Sequence, residues 1–106
     1  MKEIYRYKTP NGKVPFDEWI QSLTEQNQAR IDAYIKRAAL GAAKKNIEPV
    51  GEGVFEIKID VGPGFRVYFG EKGRTMILLL LGGDKSTQRS DIRKAKEYWR
   101  DYNAED

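Results

Sequence analysis

The chain has 106 residues, 40% of them hydrophobic and 33% charged, with a net charge of +3 and an isoelectric point near 9.1. This balance suits one soluble globular domain over residues 1–106, and it excludes a disordered chain. Cysteine and histidine are both absent, which excludes disulfides, thiolate chemistry and the usual general base and metal ligand, so no metal site or cofactor is expected.

Ile4–Lys8 alternates and reads as a strand, and Asn-Gly within Thr9–Gly12 marks a turn. Pro15 suits the first turn of a helix, with Asp17 and Glu18 where the helix dipole favours anions. Phe16, Trp19, Ile20 and Leu23 supply its apolar stripe. Thr24 is placed to cap a second helix with a stripe of Ile31, Tyr34, Ile35 and Ala38, and Gly41 is placed to end it. Between Ala42 and Gly53 the periodicity dissolves, and Pro49, Gly51 and Gly53 mark a loop.

Three strands follow. In the first, Phe55, Ile57, Ile59 and Val61 point one way and Glu56, Lys58 and Asp60 the other. After the short Gly62-Pro63-Gly64 connection, Phe65, Val67 and Phe69 form an apolar side and leave Arg66 and Tyr68 opposite. A tight hairpin around Pro63 would set Lys58 against Tyr68 and Asp60 against Arg66. Met76–Leu81 lacks alternation, as a strand covered on both faces does. It is far shorter than the roughly 20 apolar residues of a membrane span, so no membrane association is expected and the location expected is cytoplasmic. Ser86 or Thr87 is placed to cap a last helix with an inner stripe of Ile92, Ala95, Trp99 and Tyr102. The order is β-α-α-β-β-β-α: an α+β fold with an N-terminal helical hairpin, a small, mostly antiparallel sheet and a C-terminal helix.

Lys58, Arg66 and Tyr68 share the polar sheet face, and a cationic, phenol-bearing face suits a polyanion such as RNA. The same pattern fits an ordinary solvated face with an Asp60–Arg66 pair. Gly82–Gln88 (GGDKSTQ) joins a strand to a helix, a geometry that suits phosphate, and Lys85 sits where the helix dipole disfavours a cation. An ordinary strand-to-helix turn explains the glycines equally well. Asp91, Lys94 and Tyr98 share one face of the last helix, where they either extend the site or form a solvated surface. Arg30, Lys36, Arg37, Lys44 and Lys45 are further candidates for phosphate contact. Trp19 and Trp99 fall on apolar stripes and read as core. Asp101, Glu105 and Asp106 read as a frayed acidic end.

The segments GPGFRVYFG, LLLGGDKSTQ, Asp91-Ile92 and AKEYW, together with TPNGKVPFDEWIQSL near the start, resemble the phage-derived, Gp49-like branch of the RelE/ParE toxin superfamily, close to HigB-type toxins. The resemblance covers nearly the whole chain. It implies a RelE-like fold and the toxin role in a type II toxin–antitoxin system: a metal-independent endoribonuclease (mRNA interferase) acting on mRNA on the ribosome. It also implies a helix-turn-helix antitoxin of the HigA/Xre-like kind, with operator DNA bound only through that antitoxin. Lys58 and Arg66 match sheet residues of the RelE pattern. Lys85 falls near a second arginine position and Asp91 near the usual tyrosine, while Glu56 stands where a second lysine is expected. The catalytic set that follows is Lys58, Arg66, Tyr68, Lys85 and Asp91. The departures, and the missing C-terminal histidine of HigB-type toxins, also fit a non-cleaving ParE-like toxin that poisons DNA gyrase.

Overall fold

The computed structural model describes residues 1–104 of the chain. Its elements are β1 (Glu3–Arg6), α1 (Pro15–Gln21), α2 (Glu25–Ala39), β2 (Ile47–Gly51), β3 (Val54–Ile59), β4 (Phe65–Lys72), β5 (Met76–Asp84) and α3 (Gln88–Ala104). Short 3-10 turns at Lys44–Asn46 and Lys85–Thr87 precede β2 and α3. The five strands form one sheet in the order β1-β5-β4-β3-β2. β1 runs parallel to β5 and every other pair is antiparallel. The α+β class and the three helices agree with the sequence reading.

The caps explain the helix boundaries. Pro15 opens α1, where its missing N–H is no loss. The Thr24 hydroxyl accepts from the Asn27 N–H at 3.2 Å and starts α2. Gly41, at φ +80°, ends α2, as the Ala42 N–H reaches back to the Arg37 carbonyl at 2.9 Å. The start of α3 differs from expectation. A 3-10 turn, Lys85–Thr87, leads into it, and Asp84 caps that turn: its carboxylate accepts from the Ser86 N–H at 2.8 Å and the Ser86 hydroxyl at 2.5 Å.

Each sheet face carries its own core. On one face, Phe16 of α1 and Ile31, Ile35, Ala38 and Ala39 of α2 pack on Ile57, Ile59, Phe65, Val67, Phe69, Ile77 and Leu79. On the other, Ala95 of α3 joins Tyr7, Val54, Tyr68, Leu78 and Leu80, flanked by Ile92, Trp99 and Tyr102. The stripe expected for the last helix is the one it buries. β5 is covered on both sides, as its unbroken apolar run requires.

Four expectations need correction. The stretch 42–53 is not all loop, because residues 47–51 form edge strand β2 on β3. Pro49 is tolerated there because an edge strand has a free side that needs no N–H. The hairpin register is two residues from the tight-turn pairing: Lys58 faces Arg66 and Glu56 faces Tyr68. Residues 60–64 make the longer turn, with Gly62 and Gly64 at φ +56° and +79°. Gly82 and Gly83 belong to β5 rather than a phosphate-cradling loop, and no Cβ would fit on either. One on Gly82 would overlap the Trp19 ring; one on Gly83 would overlap the Asp91 carboxylate. Finally, the polar sheet face is not solvated, since α3 lies across it.

Candidate functional site

The five candidate residues come to one end of the sheet under and beside the start of α3, in two layers. The inner layer is nearly dry. Glu56, Arg66 and Tyr68 are 1%, 9% and 0% exposed, and Asp91 is 8% exposed. Arg66 lies beside Glu56, with Nε 3.7 Å from Oε1. The other carboxylate oxygen of Glu56 accepts from the side-chain amide of Gln88 at 2.8 Å, which ties the sheet to the first turn of α3. Asp91 accepts from the Thr87 hydroxyl at 2.5 Å over the bare backbone of Gly83, and Gly83 pairs with Arg66 in the sheet.

The outer layer is wet. Lys85 is exposed. Lys58 is half-buried, with Nζ 3.1 Å from Glu48 Oε1 on neighbouring β2. Gly64 joins the layers: a Cβ there would lie 3.6 Å from Arg66 Nη1 and 3.8 Å from Lys85 Cβ. Arg66 and Lys85 therefore converge on the same turn, 19 positions apart in sequence.

Arg66 is poorly satisfied for a buried guanidinium. Its Nε has no hydrogen-bond partner. Nη1 makes only long contacts, 3.4 Å to the Gly64 carbonyl and 3.5 Å to the Phe65 carbonyl. Buried donors are nearly always paired, so such a group is a candidate for an external acceptor. The Tyr68 hydroxyl is likewise without a hydrogen-bond partner. Burial first, then the carboxylates of Glu56 and Asp91, push its phenol well above the ordinary tyrosine value, with Arg66 pulling back in part. Tyr68 is therefore a neutral phenol at physiological pH, and it touches a ligand only if α3 moves.

Among the described residues, no group of three or more Asp and Glu side chains comes together to hold a metal ion. The expected Asp60–Arg66 pair does not form, and Glu56 takes that place. Glu56 and Gln88 join the site without having been among its sequence candidates. A signal for Glu56 was present: it alternates onto the same side as Arg66, and a buried cation needs a buried anion. Of the basic candidates, Arg30, Lys36, Arg37, Lys44 and Lys45 are exposed on and after α2, on the opposite side of the sheet. Lys36 pairs with Asp32 at 2.9 Å, and Arg37 lies over the Tyr34 ring at 4.3 Å. Asp101 is not frayed: it lies within α3 and accepts from the Tyr7 hydroxyl at 2.5 Å. Glu105 and Asp106 lie outside the described residues.

Residues 18–100 match the family described as phage derived protein Gp49-like (DUF891). The chain belongs to that family. It is a family of RelE/HigB-type toxins, and a toxin of a toxin–antitoxin system implies an antitoxin partner. The five-stranded mixed sheet with its C-terminal helix is compatible with a RelE-like fold. An uncharacterized protein of Haemophilus influenzae is 44% identical over 82 residues, which are 76% of this chain and 82% of that protein. Among the described residues no helix is long and apolar enough to cross a membrane.

Proposed function

We propose that this chain is the toxin of a type II toxin–antitoxin system and that it cleaves mRNA on the ribosome, in the cytoplasm, as a metal-independent endoribonuclease. The observation that carries the reading is the under-bonded Arg66 guanidinium, converging with Lys85 beside the Gly64 turn. In the reaction the ribose 2′-oxygen loses its proton and attacks the adjacent phosphorus. The bond to the 5′-oxygen breaks, and that oxygen takes up a proton. Arg66 clamps the phosphate through its outer nitrogens, and Lys58 and Lys85 stabilise the charge that builds up on it. Asp91 and Tyr68 complete the set from beneath, as proton acceptor and proton relay once α3 yields.

Within this set the proton-transfer roles fall to Asp91 and Tyr68. Tyr5, Tyr68 and Tyr98 are shifted up and Asp84 down, so each moves away from neutrality. Rate must then come mainly from positioning and charge stabilisation, and a ribosome holding the mRNA strand supplies positioning. Primer extension on translated mRNA after induction tests this, with new 5′ ends expected within codons. Growth arrest with intact mRNA would overturn it.

One observation favours a second reading. Glu56 already faces Arg66, and α3 covers both, which suits a toxin that binds DNA gyrase without cutting RNA. That reading predicts DNA breaks and an SOS response with mRNA intact.

The antitoxin proposed is a helix-turn-helix protein of the HigA/Xre-like kind that alone contacts operator DNA. Its grip falls on the helical hairpin Phe16–Leu40. A cleft of about 460 Å3 there, lined by Phe16, Ile20, Ile31 and Ile35 together with Arg6, Glu25 and Asp32, offers an apolar floor between charges of both signs. The association rate should then vary little with salt, whereas an acidic segment laid over Arg66 and Lys85 would show a steep dependence.

A further inference from the structure

A second cleft, of about 410 Å3, lies where β1 ends and leaves the last residues of β5 with one edge open, opposite β4. The chain turns away after Tyr7, whose N–H makes the last bond to the Leu79 carbonyl at 2.9 Å. Beyond that point Trp19 of α1 comes from one sheet face and Tyr98 of α3 from the other, with Leu81 of β5 between them. Lys13, Glu18 and Lys94 complete the wall.

Both aromatic rings are held in place. Trp19 rests on the bare backbone of Gly82 and meets Phe16 and Phe65 edge-on, with ring centroids 5.8 and 6.1 Å away. Tyr98 stacks on Tyr7 at 4.9 Å, and burial together with Glu97 and Glu18 keeps its phenol protonated. Among the described residues Lys13 and Lys94 enter no ion pair. Two fixed rings with two unpaired cations at their rim form a stacking platform with phosphate anchors, the arrangement that takes single-stranded nucleic acid. The cleft volume lies within the roughly 300–1,000 Å3 of small-molecule sites.

Its position joins it to the candidate catalytic end. Gly83 pairs with Arg66 and Leu81 with Tyr68, so the two places are about 7 Å apart along β5. Asp91, Lys94 and Tyr98 run from one to the other along a single face of α3.

We propose that this cleft is a nucleotide subsite of the RNA-cleaving site, resting on the reading given above. It stacks the base next to the scissile phosphate against Trp19 and Tyr98, with Lys13 and Lys94 on that nucleotide's phosphate. Glu18 accepts from an exocyclic amino group, so the subsite prefers adenine, cytosine or guanine to uracil.

The test uses the full chain with five-residue homopolymers of ribo-A, ribo-C and ribo-U, and follows affinity against salt. Ribo-A and ribo-C should bind about tenfold more tightly than ribo-U. Replacing Lys13 and Lys94 together by alanine should lower the salt slope by about 0.7, the contribution of the one single-strand phosphate they share. Glu18→Ala, which removes the acceptor, should abolish the base preference while the melting temperature holds. Unchanged slope and preference in these variants would overturn the subsite and leave the RNA reading intact. If free oligonucleotides do not bind, the bases flanking the cleavage ends made in cells decide. An identical base pattern for wild type and Glu18→Ala overturns the subsite, whereas no RNA ends at all overturns both readings.

Discussion

Arg66 behaves differently when buried than its place in an alternating strand suggests. On an exposed strand face, its truncation would cost little. Buried beside Glu56, it leaves an uncompensated carboxylate when removed. Arg66→Ala should therefore abolish activity and also lower stability by about 3 kcal/mol, measured by urea unfolding. Glu56→Gln in that background should restore part of the loss, because it removes the stranded charge. Gly83→Ala is a second residue-scale test: its methyl would overlap the Asp91 carboxylate. It should destabilise by about 1–3 kcal/mol and reduce activity, since the hydrogen bond between Asp91 and Thr87 must shift. The alternation of Glu56, Lys58, Arg66 and Tyr68 was plain in the sequence. Alternation reports which residues share a side, but not whether that side is wet. The burial of Glu56, Arg66 and Tyr68 depends on where α3 lands, while Lys58 stays half-buried at the edge.

Element boundaries followed local chemistry wherever that chemistry was strong. Pro15, Thr24 and Gly41 acted as expected, and the stripes of α1, α2 and α3 all became core. β2 was missed because its partner supplies its order: Glu48 and Pro49 are exposed, and the register slips between Pro49 and Gly51. The 3-10 turn before α3 was missed because its cap, Asp84, lies within the strand that ends there. The Ser86 hydroxyl and N–H hold the Asp84 carboxyl below its ordinary value. Its stabilisation is therefore complete above the unfolded carboxylate pKa, near 4, and is lost as pH falls through the lower, folded value. Asp84→Ala should cost about 1 kcal/mol at pH 7. The difference from wild type should shrink as pH drops below about 4, read by urea titration across that range.

Taken whole, the molecule is a sheet with a separate hydrophobic core on each face, and each core needs its own helical cover. The sequence held the clue: three apolar helical stripes cannot all pack on one face of so small a sheet. A chain ending at Thr87 would uncover Val54, Tyr68, Leu78 and Leu80 together. It should lose near-ultraviolet circular dichroism and aggregate on gel filtration, even though all five strands are still encoded. Retained native packing in that truncation would mean that α3 is a cover the domain does not need.

The parallel docking of β1 on β5 has a consequence for timing. Glu3 pairs with Met76, and the Tyr7 hydroxyl reaches Asp101, 94 residues later. β1 must wait for β5, with Glu3 and Met76 lying 73 positions apart, before it finds its partner strand, and such long-range closure is slow. Synthesis proceeds at about 5–20 residues per second, so β1 waits roughly 4–15 seconds undocked before its partner strand is made. Gln88 and Asp91, which close over Arg66, also arrive late. The site is thus assembled only after the start of α3 has been made, and a partner that binds it meets a closed sheet end rather than a growing one.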